Sequence, residues 1–414
     1  MLQSIVILGV ALSLGQASAQ PGAESAAPKN GESKSSDAKD TENGNSDSKA
    51  PDRYFVMKSL EGTWAGACLE CRKIQILGWT DMSFTASSAD HNQLPMGFNY
   101  RANEFLLQQN WLRIERPVDT DAKVATFGFR SDTILPGTDY RFTAARGLFS
   151  GQLTANDGQP NTYGIDPIQF YAEAYFPNIG QGLDVKLGRI FCQYGVESNE
   201  AISNALGSRA YTFIYDPFTH TGLMGTLKLS DTWSVQAGIM LGNDVFIDPA
   251  SEPYGMGSVK WAPKDGNDSV LFSVIFGSGR FNRAEDFHNP EVFDLVYTHK
   301  FHDKLSYSFE GLFGFTTNVP AIGDANWFGI LNYLTYEFTP KLSGTTRLEF
   351  FDDAQGQRTG FEGLYTAVTA GLSYKPHRAV IIRPEVRYDY NGESRPFEGR
   401  HGLFTATADM IVRW

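Results

Sequence analysis

The chain has 414 residues, a formal net charge of −12 at pH 7 and only 20% charged residues. Beyond residue 19 it contains no apolar run of 18 or more residues, which excludes membrane-spanning helices. A membrane β-barrel is not excluded, because barrel strands alternate polar and apolar residues and their mean hydropathy is low. With this acidic balance we expect no nucleic-acid partner.

The first 19 residues have the pattern of a secretory signal peptide. Residues 5–14 form an apolar run too short to span a bilayer, and Ala17-Ser18-Ala19 is a small-residue cleavage site. No Lys or Arg precedes the apolar run, which departs from the usual signal pattern. We therefore predict export from the cytoplasm.

Residues 20–52 are predicted to be a disordered polar linker. They contain seven acids, four lysines and almost no large apolar residue, and their net charge of −3 leaves −9 for the rest of the chain. Such a composition cannot bury enough surface to fold. A tether is the simplest role, and contact with another periplasmic component is the alternative.

Residues 53–73 form a lead-in segment that contains Cys68 and Cys71, two of the three cysteines. Export implies an oxidising compartment, in which this pair is a candidate for a local disulfide, with idle thiols as the alternative. The pair lies in no βαβ pattern and has no second pair with which to bind zinc. We therefore predict no metal and no cofactor.

Residues 74–414 alternate between strands and turns, without sustained helical periodicity. Many of the strands have the roughly nine to eleven residues that cross a bilayer when tilted. Sixteen are predicted, near residues 74–86, 102–116, 123–135, 167–177, 183–195, 217–230, 233–243, 254–262, 269–279, 291–301, 304–316, 327–338, 341–352, 363–375, 379–390 and 402–414.

The sequence AVIIRPEVRYDY at residues 379–390 shows the alternation best. Arg383, Glu385, Arg387 and Asp389 share one face of the predicted strand, and the opposite face carries no charge. In a soluble sandwich the apolar face would meet a protein core. In a membrane barrel it would meet lipid, and the charged face would line an aqueous lumen.

The connections between the predicted strands alternate between short and long. Seven short turns and eight long loops join the sixteen strands, so both ends of the barrel sequence lie at the side of the short turns. The long loops are predicted at residues 87–101, 136–166, 196–216, 244–253, 280–290, 317–326, 353–362 and 391–401. An even strand number with short periplasmic turns and long outer loops is typical of bacterial outer-membrane barrels, and a soluble sandwich gives no reason for it.

The last predicted strand ends on the final residue with one apolar face. Phe404, Met410, Val412 and Trp414 lie on this face and are predicted to form the terminal signal for insertion into the outer membrane. Outer-membrane lipid and the barrel-assembly machinery are therefore expected partners.

Several stretches resemble the putative beta-barrel porin-2 (OmpL-like) family of outer-membrane proteins, over nearly all of residues 74–414. They are WLRIERP at 111–117, GTDY at 137–140, residues 185–189 and 217–222, RLEFFDDAQGQRTG at 347–360 and RPEVR at 383–387. The resemblance implies a porin-like barrel without a well-defined substrate. The hydrophilic residues 20–52 and the CLEC sequence of the lead-in depart from the family pattern.

Closing sixteen strands leaves an aqueous channel, whose selectivity depends on its radius and its charged side chains. The predicted pore-lining residues are Arg130, Asp132, Glu173, Arg347, Glu349, Arg383, Glu385, Arg387, Asp389 and Arg413. Mutual neutralisation of these charges in a wet lumen, without selectivity, is the alternative. The longest loop, 136–166, is predicted to constrict the pore through Asp139, Tyr140, Arg141 and Arg146, or to cap the surface instead.

No catalytic residues are predicted, since the chain has neither an H-E-x-x-H nor a G-x-S-x-G motif. We expect an all-β outer-membrane protein that lets small hydrophilic solutes diffuse passively, and, by analogy with other porins, a homotrimer. A surface-display or adhesion barrel with a plugged lumen is one alternative. A secreted soluble β-rich enzyme or lectin is the other.

Overall fold

A computed structural model describes residues 54–89, 96–247, 253–276 and 290–414. The predicted signal peptide, the whole predicted linker and most of loop 280–290 lie outside these residues. The described residues contain four α-helices: α1 Phe55–Ser59, α2 Trp64–Cys71, α3 Tyr140–Thr143 and α4 Tyr211–Ile214. No helix within the described ranges is long and apolar enough to cross a membrane.

Sixteen strands close into one antiparallel barrel, in which each strand pairs with its sequence neighbours and β1 pairs with β16. The strands are β1 Gln75–Ser87, β2 Phe105–Arg116, β3 Thr126–Gly137, β4 Gly164–Phe176, β5 Leu183–Phe191, β6 Thr219–Lys228, β7 Trp233–Asn243, β8 Tyr254–Trp261, β9 Asp268–Phe276, β10 Glu291–His302, β11 Leu305–Val319, β12 Gly323–Thr339, β13 Leu342–Asp353, β14 Gly363–His377, β15 Val380–Asn391 and β16 Gly402–Arg413. The predicted fold class and strand number are confirmed.

The seam between β1 and β16 removes the open edges that a sixteen-stranded sheet would otherwise present. Its register runs from Trp79 opposite Arg413 to Ser87 opposite Thr405. The final residue continues the pairing, because the Trp414 backbone exchanges hydrogen bonds with Gly78 at 2.9 and 3.0 Å. Gly78 is required here, since a Cβ atom at this position would overlap the Trp414 ring.

The two faces of the barrel wall differ as the period of two predicts. On β15, Arg383, Arg387 and Asp389 point inward and are buried, whereas Val386 and Tyr388 point outward and are about half exposed. The last strand follows the same rule: Phe404, Met410 and Val412 face outward, opposite the inward Thr405, Thr407 and Asp409. An outward apolar surface with an inward charged surface is the arrangement of a membrane barrel.

One predicted connection is wrong. Residues 317–326 were expected to form a long loop, but β11 and β12 extend to Val319 and from Gly323, so only residues 320–322 connect them. Asn318 and Ala321 adopt positive φ angles of 58° and 65°, which reverse the chain tightly. The prediction failed because the residues at this end of the hairpin have the composition of a loop, although most of them are paired in the sheet.

Candidate solute passage

Among the described residues, the long connection between β5 and β6 packs inside the barrel. We call residues 192–218, which join β5 to β6, the inner arm. Most of its polar and apolar side chains are buried: Glu197, Asn199, Glu200, Ala201, Leu206, Ser208, Arg209, Ala210, Tyr211, Thr212, Asp216 and Phe218. This connection therefore packs inside the barrel.

Arg383 shows how the wall holds the inner arm. Its guanidinium pairs with Asp409 of the neighbouring strand at 3.0 Å, and it donates further hydrogen bonds to the carbonyl oxygens of Ala201 (2.8 Å) and Asn204 (2.6 Å). The side chain is 1% exposed. An arginine can do this because its fork presents five N–H donors in a fixed plane.

Arg387, on the same face of β15, repeats the arrangement. It pairs with Asp389 at 2.7 Å and donates to the carbonyl oxygen of Arg209 at 2.6 Å. Between the two arginines, Glu385 accepts the backbone N–H groups of Gly207 (2.8 Å) and Ser208 (3.1 Å).

Two residues of β13 also bind the inner arm. Arg347 pairs with Glu197 at 2.8 Å and donates to the carbonyl oxygen of Ser208 at 2.8 Å. Glu349 accepts both the N–H (2.8 Å) and the hydroxyl (2.7 Å) of Thr212. The six charged residues of β13 and β15 thus face inward and are buried beneath the inner arm: Arg347, Glu349, Arg383, Glu385, Arg387 and Asp389. Their pore-lining role stays a prediction.

The remaining predicted pore-lining residues lie elsewhere on the wall. Arg130 pairs with Glu115, and Asp132 accepts Arg113 at 2.6 Å. Arg413 donates to the Tyr54 hydroxyl at 2.9 Å at the entrance from the lead-in segment.

Glu173 on β4 is partly buried beside Lys186, which lines the cavity. It lies 3.4 Å from the ammonium group of Lys186, and its side chain is 13% exposed.

The predicted constriction residues lie in or next to α3, and Asp139 is close to the inner arm, because the Gln109 amide that it binds also binds Asn199 and Ala201 of the arm. Asp139 accepts the Gln109 amide at 2.8 Å, the Tyr140 hydroxyl donates to the carbonyl oxygen of Asn161 at 2.7 Å, and Arg141 stacks 4.2 Å from the Tyr100 ring centroid. The Arg146 backbone N–H donates to Asp244. Burial raises the pKa of Asp139 to about 7, although Arg209 and the Gln109 amide act in the opposite direction. The constriction role given to these four residues stays a prediction.

A cavity lies beside the inner arm in the barrel interior. It has a volume of about 370 Å³ and is lined by the arm and by side chains of β2, β4, β5, β9, β10 and β11. Side chains that line it include Tyr171, Lys186, Ser269, Thr298, Ser308 and Glu310. Hydroxyl and charged groups along facing strands suit a hydrated path for polar solutes.

With this geometry established, the chain can be compared with known proteins. The profile of the family described as Putative beta-barrel porin-2, OmpL-like, matches residues 73–414. The chain belongs to this family. No curated protein matches it.

Solved porin structures share the fold of this OmpL-like barrel at very low sequence identity. An anion-selective porin from Comamonas acidovorans superimposes with a TM-score of 0.54 at 10% identity, covering 82% of this chain and 99% of that one. The outer membrane channel DcaP of Acinetobacter baumannii gives 0.53 at 10% identity, covering 82% and 97%. OmpT of Vibrio cholerae gives 0.51 at 11% identity, also covering 82% and 97%. The family and the fold place the protein in the outer membrane and favour a channel over an enzyme.

The two lead-in cysteines of the OmpL-like barrel are free thiols on α2. The disulfide predicted between Cys68 and Cys71 is therefore absent from the structure. Residues three apart on a helix have Cβ atoms roughly 5–6 Å apart, whereas a disulfide needs about 3.8 Å. No cluster of metal-ligating side chains occurs among the residues that the structure describes.

The inner arm was missed because loop length was the signal used for constriction. A better signal was its composition, since the stretch ALGSRAY at 205–211 is small and apolar for an external loop. Two acids, Glu197 and Glu200, precede this stretch and pair with Arg347 and Arg113 of the wall. An arginine-rich inner face and an acidic connection were thus both visible in the sequence, but their pairing was not.

Proposed function

We propose that the protein is an outer-membrane diffusion channel for small hydrophilic solutes. The observation that carries the proposal is the division of the barrel interior. The inner arm is bound to β2, β10, β11, β12, β13 and β15, and a cavity with both polar and apolar side chains in its lining is left beside it. Solutes would move through this cavity by diffusion, without a covalent step.

The way in which the arm is bound supports a passage of fixed width. Arg347, Arg383 and Arg387 each join a carboxylate to an arm carbonyl oxygen, so three buried cations hold one segment of backbone. Buried charges of this kind are costly to separate from their partners. The arm would therefore behave as part of the wall and not as a mobile lid.

A purified and refolded sample in a planar lipid bilayer tests this proposal. We expect discrete conductance steps, together with swelling of protein-containing liposomes in small sugars and exclusion of larger ones. The alternative of a display or adhesion barrel has one specific observation in its favour, namely that the arm packs inside the barrel against six of its strands. A correctly folded protein that passes neither ions nor sugars would support that alternative and overturn the channel.

The proposal extends to assembly. By analogy with other porins, the channel would be a homotrimer inserted by the barrel-assembly machinery through its C-terminal strand. Chemical cross-linking in native membranes tests the first part. Replacing Phe404 and Trp414 by alanine tests the second, with loss of outer-membrane insertion as the expected result.

A further inference from the structure

The charged groups that border the cavity are unevenly balanced. Its lining includes two cations, Arg113 and Lys186, and four carboxylates, Glu197, Glu200, Asp216 and Glu310. Arg113 is already bound by Asp132 and Glu200, and Glu197 is paired with Arg347. This leaves Asp216 and Glu310 without a bound cation among the described residues.

Lys186, across the cavity, does not correct the imbalance. Its ammonium group lies 3.4 Å from Glu173 and 3.4 Å from Asp184. Its single positive charge is therefore less than the combined negative charge of these two carboxylates. That side of the passage is therefore also acidic.

We call Asp216, Asp294 and Glu310 the acidic triad. Asp294 on β10 accepts the Gly195 N–H at 3.2 Å, and Glu310 on β11 accepts the Val196 N–H at 2.7 Å. Gly195 has a φ of 87°, which a larger residue adopts only with strain, and this turn presents the two N–H groups to the two strands. Two adjacent backbone N–H groups thus bind Asp294 and Glu310, and they leave the negative charge of both carboxylates without a counter-charge.

The triad also has unused acceptor atoms. The Oδ1 atoms of Asp216 and Asp294 are buried and accept no hydrogen bond from any described residue. Both side chains are more than nine-tenths buried. A buried carboxylate oxygen without a donor is costly, so such a pair is matched to a ligand that supplies N–H groups or positive charge.

We propose that the acidic triad is a cation subsite, which draws ammonium- or guanidinium-bearing solutes and small inorganic cations through the passage and disfavours anions. This inference rests on the proposed channel function and names the solute class for it. A chelated metal is not implied, since the described residues contain no metal-ligating cluster. The triad would act as an array of hydrogen-bond acceptors and as a source of negative potential.

Proton competition follows from the same surroundings. Burial, and then Glu310, raise the pKa of Asp216 well above its usual range, and only Arg358 of the β13–β14 connection acts against them. Tyr194 and Cys192 of the inner arm also lie near the triad. Glu310 has electrostatic interactions with Glu197 and Glu349 as well. A cation would replace the protons that the empty site takes up, so cation preference should strengthen as the pH rises.

Reversal potentials in a KCl gradient across a planar bilayer test the inference. We expect the wild-type channel to favour potassium over chloride, and more strongly at pH 8 than at pH 5. In a variant carrying Asp216→Asn, Asp294→Asn and Glu310→Gln, the preference should fall on the order of fivefold. Each amide keeps a carbonyl acceptor for the Gly195 and Val196 N–H groups, so the arm should stay bound.

The matched control is Asp324→Asn, which removes an exposed carboxylate at the outer end of β12. Its selectivity should equal that of the wild type. A second probe, methylguanidinium chloride, should reduce the potassium current of the wild type and have little effect on the triple variant. Unchanged conductance steps in the triple variant would show that it folds.

The outcomes separate the two proposals. A conducting wild type that prefers chloride, has no preference, or keeps its preference in the triple variant overturns the cation subsite and leaves the channel standing. A folded wild type without conductance overturns both. Potassium preference that is lost only in the triple variant supports both.

Discussion

At the residue scale, the buried arginines of β15 show what the alternation of a strand can and cannot predict. The period of two places Arg383 and Arg387 on the inner face correctly. It gives no information about what covers that face. The contact between Arg383 and the carbonyl oxygen of Ala201 joins residues 182 positions apart, and no local pattern contains such a pairing.

Removing Arg383 should release one end of the inner arm. Arg383→Ala leaves Asp409 buried without its cation and the carbonyl oxygens of Ala201 and Asn204 without a donor. We expect a loss of about 3–5 kcal/mol in the free energy of unfolding, and a larger, noisier channel current. Urea unfolding in lipid vesicles and single-channel recording measure the two effects.

Arg116→Ala is the control, because Arg116 is exposed at the end of β2. It should change neither stability nor current. If Arg383→Ala behaves in the same way, the arm is not held by this arginine.

Asp139 should make the stability of the protein depend on pH. Its pKa in the folded chain is about 7 because of burial, against an ordinary value of 3.8. The folded state therefore keeps a proton that the unfolded state loses, and stability decreases as the pH rises through 7. Between pH 5 and pH 8 this group alone should cost about 3 kcal/mol.

Asp139→Asn isolates this contribution, because the amide oxygen still accepts the Gln109 hydrogen bond. Its melting temperature should decrease less between pH 5 and pH 8 than that of the wild type. Parallel pH curves for the two proteins would show that Asp139 does not carry the effect.

At the element scale, the strands were predictable and the loops were not. The sequence signal of a strand, its alternating side chains, lies within the strand itself. All sixteen strands were therefore predicted near their observed bounds. The course of a loop depends on distant partners. Loop 136–166 was assigned the constriction because it is the longest predicted loop, but its length does not show that Asp139 contacts Gln109 and Arg141 contacts Tyr100.

Shortening the two connections should therefore have different effects. Replacing residues 197–213 of the inner arm by a short Gly-Ser linker should leave the barrel intact, since the wall pairs strand to strand without the arm. The conductance should rise severalfold because the space that the arm occupies becomes water. Single-channel current and the heat-dependent mobility of the folded barrel on gels measure the result.

Replacing residues 154–159 of loop 136–166 by two glycines is the matched control, since these six residues are all exposed. The current should not change. A rise in current on this replacement and not on the first would return the constriction role to loop 136–166.

At the scale of the whole molecule, closure and membrane placement were within reach of the sequence because they follow from a global regularity. The predicted alternation of short turns and long loops gives an even number of strands with both ends at one side, and the short connection at residues 320–322 does not change that count. Interior volume is a different matter. The interior volume depends on how the inner arm packs against β2, β10–β13 and β15 at once. The number of strands gives no information about that packing.

Membrane placement makes a quantitative prediction for the outer face of β14. Val368 lies in the middle of this strand and is 51% exposed, whereas Leu364 lies near its outer end and is 41% exposed. In a bilayer the first position faces hydrocarbon and the second approaches the interface. An arginine at the midplane costs about 2–4 kcal/mol, and one near the interface costs about 0–1 kcal/mol.

Val368→Arg should therefore lower the free energy of unfolding in lipid vesicles much more than Leu364→Arg does. Both positions are outward and similarly exposed in the chain, so the comparison isolates depth in the membrane. In water the two substitutions would cost equally little, because an arginine at either exposed site would be hydrated. Equal costs in vesicles would mean that this face of the barrel does not contact lipid, and the outer-membrane placement would then fail with it.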